Sequence, residues 1–286
     1  MSGIRFTKMH GVGNDFVILD RIAGAPFPDV ALSRHLADRH FGVGCDQIMV
    51  VEAAPAGGYA YRIVNADGSA AGQCGNGARC VARYLRERHG LVDGAVLDSP
   101  GGPVVVHFLG HGDIELALGV PRLEPSEIPF HAPQRQARYL IDLDGVLHSI
   151  AALSMGNPHA VLTVDSVTLA PVAPVGAQIE CHPRFPDRVN VGFVEIVNRN
   201  HLRLRVWERG VGETLACGSG ACAAMVALRL SDEIDAEVAI DLPGGRLRVR
   251  WAGEGEPVYL AGPASFVFDG EFYPCAPPNA QSAPPN

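Results

Sequence analysis

Two short segments carry the residues best suited to chemistry. One, NADGSAAGQCGNGARC, contains Cys74 and Cys80; the other, WERGVGETLACGSGACA, contains Cys217 and Cys222. Each sets a cysteine before Gly-x-Gly-Ala and a run of helix formers. Cys74 and Cys217 are therefore expected at helix N-termini, whose positive end favours thiolate. Such thiols titrate at about 3.5–7.5, against roughly 8.5 for free cysteine. Gly75, Gly77, Gly218 and Gly220 permit close backbone approach, and the free N–H groups of a first helical turn bind anions. Each segment thus offers one activated thiol beside one carboxylate-sized anion site. Face to face, they would suit taking a proton from one side of a carbon and returning one to the other. The helix ends would stabilise the charge that develops.

The two cysteines belong to a longer repeat. The offset of 143 residues that relates them also relates Gly13 to Gly156, Asn14 to Asn157, Gln47 to Asn190, Glu52 to Glu195 and Asn65 to Glu208. It carries LDSPGG from Leu97 onto IDLPGG from Ile240. Packing alone explains mirrored Pro-Gly-Gly turns. It explains mirrored polar side chains poorly, so Asn14, Gln47, Asn65, Asn157, Asn190 and Glu208 become site candidates.

The elements that position these residues follow from local pattern. FVILD, QIMVVE and YRIVN in the first half, and AVLTVD, VGFVEIV and LRLRVWE in the second, read as strands bounded by turn residues. Residues 29–40 read as a helix capped by Asp29, and residues 169–180 hold the matching place. Ala78, Val81, Ala82 and Leu85 form the apolar face of a helix over Gly75–His89, with Gly90 closing it. Gly218–Leu230 is almost wholly apolar and reads as a buried helix. The pattern predicts an α/β fold of the α+β type: two pseudo-symmetric domains with mixed, largely antiparallel sheet. The joint falls in the Pro-rich residues 119–135, and residues 276–286 are expected to be disordered.

Composition narrows the function classes. Of 286 residues, 47% are hydrophobic and 19% charged, which argues against disorder. The net charge of −8 gives no sign of a nucleic-acid binder. The longest uncharged stretch, Gly145–Val164, is broken by polar residues and does not read as a membrane span. The N-terminus lacks the apolar run of a secretory signal, so a cytoplasmic location is expected. Seven cysteines, an odd number, argue against a disulfide framework there. No Cys-x-x-Cys pair occurs, so no structural metal site is expected. Cys45, Cys80 and Cys222 read as packing residues, and Cys181 and Cys275 as incidental. No pyridoxal site, P-loop or G-x-G-x-x-G strand–helix turn is evident, so no cofactor is expected.

NADGSAAGQCGNGARC, SMGNPHAV, FPDRVNVGFV and WERGVGETLACGSGACA together resemble the signatures of the diaminopimelate epimerase family, over about residues 4–270. These are cofactor-independent isomerases that interconvert LL- and meso-diaminopimelate for lysine and peptidoglycan precursors. The resemblance implies two domains, 1–118 and 119–262, each with sheet around a central helix. It also implies a strand from 263–275 returning to the first domain. It implies Cys74 and Cys217 as the base/acid pair. It implies substrate contacts from Asn14, Gln47, Asn65, Gly75, Asn76, Asn157, Asn190, Glu208, Arg209, Gly218 and Ser219. Ser219 and Trp207 stand where threonine and tyrosine are common, and keep the needed chemistry. Family analogy suggests closure over an amino-acid substrate and a homodimer, with neither membrane nor nucleic acid as partner.

The chemistry of the side chains agrees with these roles. Arg209 suits a carboxylate, because its planar fork binds one bidentately. Glu208 suits an α-ammonium, and the asparagines, with donors and acceptors, suit a zwitterionic distal centre. His159 is a supporting residue that orients Glu208 or helps position substrate. Two rival readings stand beside this one: a proline racemase-like enzyme with the same two thiols, and a thiol redox or metal-binding protein.

Overall fold

The computed structural model describes residues 3–274; Cys275 and the tail 276–286 lie outside them. The first half runs β1 (Ile4–Gly11), β2 (Asn14–Asp20), α1 (Val30–Ala37), β3 (Gln47–Ala53), β4 (Tyr59–Asn65), β5 (Ala70–Ala71), α2 (Gly75–His89), β6 (Val96–Ser99), β7 (Gly102–Phe108) and β8 (Ile114–Ala117). Then follow β9 (Tyr139–Leu143), β10 (Val146–Ser154), β11 (Pro158–Thr163), α3 (Val172–Glu180), β12 (Asn190–Asn198), β13 (His201–Glu208), β14 (Gly212–Thr214), α4 (Gly218–Leu230), β15 (Glu237–Leu242), β16 (Gly245–Arg250), β17 (Tyr259–Gly262) and β18 (Ser265–Phe272).

Strand pairing repeats with the element order. β2 and β3 are parallel, as are β11 and β12. β4 and β6 are parallel, as are β13 and β15. Most other pairs are antiparallel, so the sheet is mixed and largely antiparallel. Gln47 faces Asn65 across β3 and β4, and Val191 faces Trp207 one position in from Asn190 and Glu208. Repeat positions in sequence are thus repeat positions in register.

Two pairings tie the halves together. β9 lines the outer edge of β10, whereas the matching edge of β1 is taken by β18, the last strand described. β8 pairs with β17 as well as with β7. The Pro-rich joint is not a loose linker. Ile128 and Phe130 are buried with Phe185, Val191 and Phe193 in the core beneath β12.

The helices form for local reasons. α2 buries Ala78, Val81, Ala82 and Leu85, and Gly90 ends it at φ 71°, a left-handed conformation that costs glycine little. α4 is buried from Gly220 to Leu228, as its apolar sequence demands. α1 is capped by Asp29 but ends at Ala37, short of the predicted residue 40. The Asp38 carboxylate accepts from the N–H groups of His40 and Phe41 and starts a new turn there. α3 begins at Val172, three residues later than predicted, behind Pro171. Among the described residues no helix is long and apolar enough to cross a membrane.

The fold generates two predictions. Leu260 on β17 is fully buried, and its methyl group lies against both Gly75 and Gly218. Leu260→Ala should cost about 2–5 kcal/mol in a urea melt. A cost below about 1 kcal/mol would deny Leu260 that wedging role. Burial also pushes the Cys45, Cys80 and Cys222 thiols and the Tyr61 phenol up to about 12. Unfolded thiols ionise near 8.5, so above that pH the unfolded chain holds fewer protons than the folded one. Stability should be full below about pH 8.5 and fall as pH rises towards 12. A melting temperature equal at pH 8 and pH 10.5 would contradict this.

Candidate active site

Cys74 and Cys217 are the N-caps of α2 and α4. Each adopts extended backbone geometry, and each sulfur accepts an N–H two positions inside its helix's first glycine. The donors are Gly77 and Gly220, both at 3.4 Å. The two helix ends are brought together by side chains from both halves. A Cβ added to Gly75 or Gly218 would lie 3.3 or 3.0 Å from the same Leu260 methyl. The Asn76 amide donates to the Ala216 carbonyl in the other half at 3.3 Å.

Matching side chains surround the two sulfurs. The Cys74 thiol donates to Asn14 Oδ1 at 3.7 Å, and Asn76 donates to the same oxygen at 3.4 Å. Asn14 Nδ2 donates to the Asp46 carboxylate at 2.7 Å, which fixes which end of the amide faces Cys74. In the second half Cys217 lies 3.6 Å from the Ser219 hydroxyl, which accepts from Asn157 Nδ2 at 3.5 Å. His159 Nε2 lies 3.1 Å from Asn157 Oδ1. That oxygen only accepts, so the ring nitrogen donates.

His159 is buried, and desolvation holds its pKa at about 3, with the Arg209 charge pushing the same way. It is a neutral donor that sets the Asn157 amide. Among the described residues it makes no hydrogen bond to Glu208, so of its two expected roles the orientation of Glu208 is not seen. Thr214 does that instead, donating to Glu208 Oε1 at 2.5 Å.

The remaining candidates are placed as follows. Gln47 donates to Asn65 at 2.9 Å across the β3–β4 register. Neither is hydrogen-bonded to a cysteine among the described residues. The Asn190 carboxamide accepts the Arg209 backbone N–H at 2.8 Å. The Arg209 guanidinium donates to the Asp187 carbonyl at 2.8 Å. Asn157 and Arg209 line a cleft of about 310 Å³ with Arg122, Ser154 and Asp187. Arg122, Asp46 and Thr214 were not singled out in the sequence. Only Asp46, next to Gln47, had a local clue. Among the described residues no group of three or more His, Cys, Asp or Glu side chains could hold a metal ion.

The expected low thiol pKa is corrected by the structure. Burial pushes Cys74 up to about 11, and the Glu208 carboxylate pushes it further; the Gly77 N–H and the Arg79 charge pull it down. Burial and Glu208 push Cys217 well above its ordinary value, opposed by Ser219 and the Gly220 N–H. Glu208 is itself raised by burial and by Asp46 of the first half, opposed by hydrogen bonds from Thr214 and Cys217. Desolvation outweighs the helix end, and the Glu208 charge acts in the same direction on both thiols.

The diaminopimelate epimerase family model matches residues 6–124 and 151–267. A diaminopimelate epimerase of Xanthomonas euvesicatoria is 53% identical over 274 residues, covering 94% of this chain and 96% of its own. One of Ectopseudomonas mendocina is 48% identical over 271 residues, covering 94% and 98%. The solved structure of a hydroxyproline epimerase from Agrobacterium vitis has a TM-score of 0.67. It covers 95% of this chain and 94% of its own at 16% identity, which shows a shared fold. With both halves matched and such identity along nearly its whole length, the chain belongs to the diaminopimelate epimerase family.

Proposed function

We propose that this chain interconverts LL- and meso-diaminopimelate, one cysteine sulfur taking the α-proton and the other returning a proton to the opposite face. The observation that carries the reading is the pair of cysteine-capped helices meeting across the repeat, Asn76 of one donating to Ala216 beside the other. A thiolate and a thiol hold one proton between them. The thiolate removes the substrate proton and becomes a thiol. The second thiol protonates the resulting carbanion and becomes the thiolate, so the pair is left in the mirror state with no net change in protons. The first-turn N–H groups at Gly75–Asn76 and Gly218–Ser219 suit the α-carboxylate, whose charge grows as the carbanion delocalises.

Glu208 couples binding to ionisation. Its carboxylate pushes both thiols up. An α-ammonium paired with Glu208 would cancel that push, so the thiolate forms when substrate is bound. Arg209 suits the distal carboxylate, and Gln47, Asn65, Asn157 and Asn190 the remaining polar groups. The reading includes a cytoplasmic place in lysine and peptidoglycan precursor synthesis, and a homodimer by family analogy.

Incubation with LL-diaminopimelate in deuterated water tests the reading. One deuteron at Cα should appear with meso product. Exchange on proline instead would favour the racemase-like alternative. Cys74→Ala and Cys217→Ala should each lower kcat/KM by at least about 10²-fold; full activity in either would sink the two-base mechanism. Because Cys74 sits near 11 without substrate, its alkylation by iodoacetamide should climb about tenfold per unit between pH 7 and pH 9. A plateau by pH 8 would mean the thiol is already ionised in the free enzyme.

A further inference from the structure

Arg79 is a buried cation that the reaction described above does not use. It lies on α2 five residues beyond Cys74 and is fully buried. Its Nη2 donates to Asn76 Oδ1 at 2.7 Å, and its Nε donates to the Pro263 carbonyl at 3.4 Å. Its Nη1 has no partner among the described residues. No carboxylate among them forms an ion pair with it. Its packing is close, since a Cβ on Gly11 would lie 3.3 Å from Nη2. A buried cation without an anion is costly, and its retention calls for an electrostatic reason.

The groups that act most strongly on Arg79 are Cys80 and Cys74 from its own helix, Cys222 from α4, and Asp113 ahead of β8, each favouring the cation. Asp113 accepts from Arg248 at 2.9 Å. Cys80 and Cys222 are held near 12 by burial and stay neutral at ordinary pH. Cys74 is left as the group whose ionisation Arg79 can favour, against the opposing Glu208. The repeat sharpens the point. The position matching Arg79 in the second half is Cys222, so the cation lies on the helix that Cys74 caps, and the matching position of the helix that Cys217 caps carries none.

We infer that Arg79 is a positioning residue that supplies the buried counter-charge for a Cys74 thiolate, so that Cys74, rather than Cys217, is the sulfur that ionises when substrate binds. It also holds Asn76, whose amide in turn bridges Asn14 and Ala216. This rests on the two-thiol reading, and its test separates the two.

Alkylation by iodoacetamide at pH 8, with each cysteine followed by peptide mass spectrometry, reports thiolate at the two sulfurs separately. Arg79→Met should slow Cys74 about tenfold, the effect of one pKa unit, and leave Cys217 within about twofold. Arg79→Lys, which keeps the charge, should stay within about threefold of wild type at Cys74. A merely structural role predicts the opposite, since loosening would speed alkylation at both sulfurs. An unchanged Cys74 rate in folded Arg79→Met overturns the inference.

If Arg79→Met does not fold, the wild type itself decides. Cys74 carrying a carboxymethyl group should shift the Arg79 guanidinium NMR signal relative to the neutral carbamidomethyl adduct. Identical signals overturn the inference. Deuterium exchange on wild type is the control. Its absence sinks the epimerase reading, whereas its presence with an unmoved Cys74 rate sinks only the role of Arg79.

Discussion

Two helix N-termini meet near the centre of this fold, and almost everything else follows from holding them there. Each end carries partial positive charge and unpaired N–H groups, so bringing two together is unfavourable by itself. The opposing forces are on hand. α4 is buried along most of its length, α2 buries one face, and Leu260 fills the space against both Gly75 and Gly218. Asn76 supplies the directional part, with its amide spanning Asn14 in its own half and the Ala216 carbonyl in the other. Core burial thus sustains a local electrostatic conflict that an anion would relieve, a common sign that a site is built for binding.

The same burial sets the state of the sulfurs. A helix end lowers a thiol's pKa when water or a cation supports the thiolate. Here desolvation and the Glu208 carboxylate both act against ionisation at the two sulfurs. In the proposed reaction the thiols stay protonated until the substrate's ammonium group arrives beside Glu208, a physical safeguard for a base that must not react with stray electrophiles. It depends on Thr214 and Asp46 as much as on the cysteines, because they set the charge and the orientation of Glu208 and Asn14.

Local sequence revealed what is locally determined. The bounds of α2 and α4 match the reading from periodicity and Gly90, because capping and amphipathicity act within a few residues. The offset of 143 picked out Asn14, Asn157, Cys74 and Cys217, which do lie in corresponding contacts. Where the reading fell short, the cause was tertiary. α1 stops early because Asp38 caps a competing turn. The Pro-rich joint packs because Ile128 and Phe130 reach a core that the linear pattern does not display. The thiol pKa went the other way because desolvation depends on what surrounds the helix end, and no motif encodes that. Arg79 looked like an ordinary helical arginine, and only its burial distinguishes it.

The pattern of symmetry and its breaks bears on the proposed reaction. Taking a proton from either face of a carbon requires two equivalent acid–base groups, and the caps Cys74 and Cys217 are equivalent down to the glycine that each sulfur contacts. The substrate is not symmetric about that carbon. It has one ammonium and one distal arm, and there the halves diverge. Asn65 and Ala66 of the first half correspond to Glu208 and Arg209 of the second. Asn14 is set by a carboxylate, Asp46, whereas Asn157 is set by the neutral His159. Duplication supplied the equivalence that reversible proton transfer needs. Divergence at positions 65, 66, 79 and their counterparts supplied the polarity that a single amino-acid substrate needs.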